Sequence, residues 1–197
     1  KKEEEEYVSK IDFEAPKVKK MPLETLAQAL DAELYETEWF VTGKVNPIYF
    51  SDDFKFQDPD VKLSGIQEYA KGVAKLFDQE TSRAQIISTQ VSGPSKITCT
   101  WRLSGKVKIG PGLTIRPYIV YTDFTVGKDG LIVFQEDRFD LPQYDILLSA
   151  LFPFLIGRFT APPAPEPEPR DPPPKLLPSR RGSSSSSQLD WILAAWH

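Results

Sequence analysis

Seven side chains of the 197-residue chain are candidates for acid–base or ligand chemistry: Tyr49, Trp101, Tyr118, Tyr121, Asp123, Gln135 and Asp137. A carboxyl taken out of water has its pKa raised, and it can then give or take a proton near neutrality. A tyrosine hydroxyl can steady an oxygen that gains charge. Together these groups, facing a space between sheet and helices, suit an isomerase or lyase acting on a small apolar molecule. A simpler reading stands beside it. Trp101 and Tyr121 fill the core, and Asp123, Asp137 and Arg138 form cross-strand ion pairs. Strand parity does not choose between the two, because one bulge exchanges the faces of a strand.

Other chemistry is narrowed by what the chain contains. Its one histidine is His197, so Ser-His and Cys-His pairs and histidine-ligated zinc are not expected. Its one cysteine, Cys99, shares a strand phase with Ile97 and Trp101 and reads as core. A lone cysteine forms no intramolecular disulfide. The acidic stretch with Asp52, Asp53, Asp58 and Asp60 does not make a calcium loop. Counted from Asp58, the fifth position is Lys62, and no glutamate stands at the twelfth. Asp58 before Pro59 reads as a turn residue. Gly105 to Gly112 lacks the G-K-[ST] ending of a phosphate loop. No metal or cofactor is expected. A net charge of −4 argues against nucleic-acid binding, which needs concentrated positive charge. The chain begins at Lys1 rather than Met, as a processed or truncated product would, and no targeting peptide is read in it.

The elements that must position these groups are legible in part. Residues 1–20 open with KKEEEE and read as a charged arm. Leu23, Leu26, Leu30 and Leu34 recur at helical spacing and predict a helix from Met21 to about Val41. A short helix or turn follows near Val45 to Ser51. Ser64 with Gln67 has the capping-box pattern and predicts a helix to Gln79, with Ile66, Tyr69, Val73 and Leu76 on one face. From Arg83 to Leu141 the period becomes two, as in half-buried strands. Gly105 and Gly110 to Gly112 mark turns or bulges, and Gly127 to Gly130 marks a hairpin. The last strand is mixed in both phases, with apolar groups on both faces, so helices should cover one and a partner or the chain's own extension the other.

Helices followed by a curved antiparallel meander are an α+β plan. The stretches FQDPDVKLSGIQEY, TWRLSGKV and IVFQEDRFDLPQYDILLSALFP resemble the cone-shaped nuclear transport factor 2-like, or SnoaL-like, superfamily, over about Leu23 to Phe154. Within it the chain is most similar to an uncharacterised cyanobacterial and plastid family. The resemblance implies a cone domain over 21–160 and a place in the chloroplast, in the stroma or at the thylakoid surface. It also leaves a homodimer through the outer sheet face open. It carries over no catalytic residue.

Half of the 18 prolines lie between Pro162 and Pro178, which predicts an extended linker over 161–187. The segment 188–197 then offers Leu189, Trp191, Ile192 and Trp196 as an anchor for a larger protein assembly. The apolar run 146–159 is too short to span a bilayer and reads as the end of the core or a surface contact, with a peripheral membrane as one surface. The first functional expectation is therefore a non-catalytic interaction module, a subunit or assembly factor of a plastid complex. The second is the small-ligand protein described above.

Overall fold

A computed structural model describes residues 7–110, 112–157 and 159–176. The leucine stripe forms helix α1, Leu23–Thr37, and buries Leu26, Leu30 and Leu34. It stops earlier than the spacing predicts because Glu38 adopts left-handed backbone, with φ 48°. The short helix α2, Trp39–Thr42, restarts at an angle and drives Trp39, Phe40 and Val41 inward. Gly43 ends it at φ 72°, where an added Cβ would lie 2.4 Å from the Ala70 carbonyl oxygen. Only glycine allows that approach. A 3-10 turn at Pro47–Tyr49 follows, its entry held by the Asn46 side chain accepting from the Ile48 N–H.

Strand β1, Phe50–Gln57, and the short strand β2, Lys62–Ser64, form a hairpin. Asp58 closes it, its Oδ1 accepting from the N–H groups of Asp60 and Val61 at 2.8 and 2.6 Å. The expected turn role of Asp58 is what the structure has. Helix α3, Ile66–Leu76, begins differently from the capping-box reading. Ser64 is the last residue of β2, and Gly65, at φ 88°, turns the chain into the helix without a side-chain cap. Ile66, Tyr69 and Val73 are buried as expected, while Leu76 is exposed and Ala70 and Ala74 complete the buried face.

Four long strands follow: β3, Arg83–Gly93; β4, Lys96–Val107; β5, Leu113–Val126; and β6, Ile132–Phe139. The sheet order is β2-β1-β6-β5-β4-β3. The meander from β3 to β6 is antiparallel, whereas β1 pairs parallel to β6, so the sheet is mixed. Register shifts at Leu103/Gly105 and Thr125/Val126 bend it. Helix α4, Gln143–Leu151, then packs beside β5, with a 3-10 turn at Pro153–Leu155 against the helix. No described helix is long and apolar enough to cross a membrane.

Aromatic rings pack in the hollow of the sheet. Phe40 stacks on Trp101 at 4.7 Å, and Trp39 meets Phe50, Tyr69 and Phe124 at 5.8 to 6.1 Å between centroids. Each such ring contributes roughly 1.5–3 kcal/mol through burial. The segment after Thr160, expected as a linker, lies in part on the domain, as described below.

Candidate functional site

Within this aromatic filling the sheet presents one polar cluster. Trp101 on β4, Tyr118 and Thr122 on β5, and Gln135 and Asp137 on β6 share the face turned toward the helices, with Trp101 opposite Val120 and Thr122 opposite Asp137 in the register. The Trp101 indole N–H donates to Thr122 Oγ1 at 2.9 Å, and the Thr122 hydroxyl donates onward to Asp137 Oδ1 at 2.7 Å. Gln135 Nε2 donates to Asp137 Oδ1 and to the Tyr69 hydroxyl, each at 3.2 Å. Both bonds to Asp137 end on Oδ1. Gln135 is wholly buried, and among the described residues its Oε1 has no hydrogen-bond partner.

The electrostatics follow from this position. Burial pushes the Asp137 carboxyl up to about 7; the bonds from Thr122 and Gln135 oppose the rise, and the charges of Asp58 and Asp123 add to it. Asp137 as a residue keeps part of its surface accessible. Its carboxyl is nevertheless ringed by protein atoms, and it is the carboxyl's surroundings that set the pKa. Burial, then the Asp137 charge, raises the Tyr69 and Tyr118 hydroxyls, so both stay protonated as donors. An acid that changes charge near neutrality beside two neutral phenols can pass a proton to or from an oxygen or an activated carbon.

The seven sequence candidates divide. Trp101, Tyr118, Gln135 and Asp137 stand in this cluster. Tyr49 is buried elsewhere, beside Glu33 of α1, and burial followed by the Glu33 charge raises its hydroxyl. Tyr121 and Asp123 are a correction to the pocket reading, because their register puts them on the opposite face of β5. There Thr98 Oγ1, Arg138 Nη2 and Lys96 Nζ bond the Asp123 carboxylate at 2.6, 3.0 and 3.4 Å, and Arg138 lies over the Tyr121 ring. Burial works to raise the Asp123 pKa, but these partners outweigh it and hold it low. Asp123 thus makes the ion pairs of the simpler reading, while Asp137 makes none among the described residues. Tyr69 and Thr122 belong to the cluster and are absent from the candidates. Tyr69 read only as helix core, and a threonine on a strand gives no signal of its own.

Cys99 is core, as expected: fully buried, its thiol pushed up to about 12 by burial, with the Thr89 hydroxyl on its sulfur at 3.4 Å. Leu189, Trp191, Ile192 and Trp196 lie outside the described residues. Among the described residues, no three His, Cys, Asp or Glu side chains are grouped to hold a metal ion.

Helices seated in the hollow of a curved sheet, with a polar cluster on that inner face, form an α+β cone, the fold class expected from the sequence. Residues 24–134 match the model of the uncharacterized conserved protein family DUF2358, and the chain belongs to that family. No curated protein matches it. Among solved structures it is similar to a candidate SnoaL-like polyketide cyclase from Jannaschia sp. CCS1, at 16% identity over 66% of this chain and 94% of that one, with a TM-score of 0.49. It is also similar to an LEH-like epoxide hydrolase from M. tuberculosis, at 22% identity over 66% and 92%, with a TM-score of 0.45. A third is an NTF2-like protein from Anabaena variabilis ATCC 29413, at 20% identity over 60% and 91%, with a TM-score of 0.44. These are likenesses in the course of the backbone.

Proposed function

We propose that the chain binds a small apolar molecule carrying one oxygen function, with Asp137 as its acid or base. The reaction class would be an isomerisation or elimination that moves one proton. The observation that carries this reading is the inward-facing Asp137 carboxyl, anchored through Oδ1 and raised to about 7. Protonated, it donates to a carbonyl or hydroxyl oxygen; ionised, it accepts a proton from that oxygen or from the adjacent carbon. Tyr69 and Tyr118 supply uncharged donors, and the rings of Trp101 and Phe139 supply apolar walls.

The test uses 2-naphthol, an apolar ring with one hydroxyl, titrated by fluorescence between pH 5 and 9. Saturable binding that changes across a midpoint near 7, and that Asp137→Leu weakens at least about tenfold, is expected for loss of a hydrogen bond to a charged group. Equal binding by wild type and Asp137→Leu, or no binding by a series of phenols and cyclic ketones, would overturn the reading.

One observation favours a second reading, that of an interaction module docking on a larger plastid assembly. Tyr144, Phe154 and Phe159 are 68%, 74% and 81% exposed, and Leu151 and Phe152 are exposed beside them. Such clustered aromatic exposure is characteristic of contact surfaces. Size fractionation of gently lysed source tissue tests it. Migration of the chain in a large complex, lost in the Phe154→Ser/Phe159→Ser double variant, is expected. Free migration of the wild type would sink it.

A further inference from the structure

Residues 161–170, APPAPEPEPR, are seated on the domain in a fixed register. At the near end, the Ala161 carbonyl accepts from the Arg116 guanidinium and the Ala161 N–H donates to Asp145 Oδ2 at 3.1 Å. Three residues on, the Ala164 N–H donates to the Pro117 carbonyl of β5 at 2.8 Å, and the Ala164 carbonyl accepts from Arg102 Nε at 3.0 Å. Pro162, Pro163 and Pro165 have no N–H, so both N–H groups of residues 161–165 are bonded. At the far end Arg170 forks onto Asp31 of α1, with Nη1 and Nη2 each 2.8 Å from a carboxylate oxygen, and lies over the Tyr35 ring. Asp31 is 139 residues away in sequence and is buried. From Ala164 to Arg170, six residues of polyproline-like chain span roughly 19 Å, enough to pass from β5 across the widths of β4 and β3 to α1.

The domain thus offers what an extended proline-rich peptide needs: guanidinium donors for its carbonyls, two acceptors at the spacing of its few N–H groups, and a carboxylate fork for one arginine. A proline-rich segment is stiff before it binds, so ordering it costs little. We infer that Arg116, Asp145, the Pro117 carbonyl, Arg102 and Asp31 form a recognition track for an extended proline-rich peptide with the pattern A-P-P-A-P-x-P-x-P-R. The chain's own residues 161–170 occupy it in cis, and the Arg170–Asp31 fork is its releasable end. A second chain presenting the same pattern competes for the track.

The experiment uses the full chain with Arg170→Ala, which removes the fork without touching the sheet. Hydrogen exchange at the Ala164 amide is expected to be slow in the wild type and at least about tenfold faster in the variant, the loss of one charge-assisted pair. An acetylated, labelled APPAPEPEPR peptide is then added in trans. It is expected to bind the Arg170→Ala chain saturably. The wild type should bind it at least about tenfold more weakly, because the tethered copy has a high effective concentration. Asp31→Asn in the Arg170→Ala background, still folded by circular dichroism, should abolish that binding. Unprotected Ala161 and Ala164 amides in the wild type would overturn the inference. So would unchanged Ala164 exchange in the variant, or peptide binding that Asp31→Asn does not alter. None of these readouts depends on a ligand at Asp137.

Discussion

At the scale of the residue, Asp137 and Asp123 make the same point from opposite sides. Both are strand aspartates, yet one meets Thr122 and Gln135 inside and the other meets Arg138 and Lys96 outside. Their pKa values move in opposite directions accordingly. The Asp137 shift has a stability consequence. Its folded pKa, about 7, lies above the ordinary 3.8, so the folded state holds this proton more tightly than the unfolded state does. The resulting stabilisation is complete below pH 3.8 and is lost as the pH rises toward 7. Asp137→Asn, which keeps the shape and stays neutral, should remove this slope. In urea unfolding it should gain on the wild type by up to a few kcal/mol between pH 4 and 8, read as the difference between the two pH profiles. Parallel profiles would show that Asp137 is not held as described.

At the scale of the element, α1 and β3 to β6 were legible because their periods, 3.6 and 2, are written over many residues. The errors fall where one residue's backbone decides. Glu38 in left-handed conformation divides α1 from α2, and Gly65 replaces the expected Ser64 cap. Gly105 is a third such position, at the register shift of β4, with φ 126° and an added Cβ only 2.3 Å from Ser82 Cα. Gly105→Ala combines a backbone conformation poor for alanine with a clash against main chain. It should cost about 2–4 kcal/mol in chemical unfolding, whereas Gly72→Ala in the middle of α3, where the nearest neighbour is the tip of Leu63 at 3.6 Å, should gain up to about 1 kcal/mol.

At the scale of the whole molecule, the segment after α4 returns to close the domain. The Arg116–Asp145 pair joins β5 to α4, and Asp145 also holds Ala161, so three segments meet at one buried charge pair. Breaking it from one side leaves a buried guanidinium without its partner. Asp145→Asn should cost about 3–5 kcal/mol, and adding Arg116→Met should recover a large part of that loss. Equilibrium unfolding of the two single variants and the double variant measures the coupling. Additive losses would mean that the pair does not act as a unit.

The sequence alone determined the class of the scaffold, an α+β cone with its leucine helix, long β-meander and turn positions. It also determined that histidine chemistry is absent from the domain, because those properties reside in periodicity and composition. It did not determine which face of β5 and β6 turns inward. That was decided by the pairing of Thr122 with Asp137 in one register, a contact between residues 15 apart. Nor could it show that a proline-rich stretch resembling a free linker is gripped by Arg102 and Asp31. Recognition there depends on donors and acceptors brought together from β4, β5, α4 and α1, and only the tertiary fold places those groups along one path.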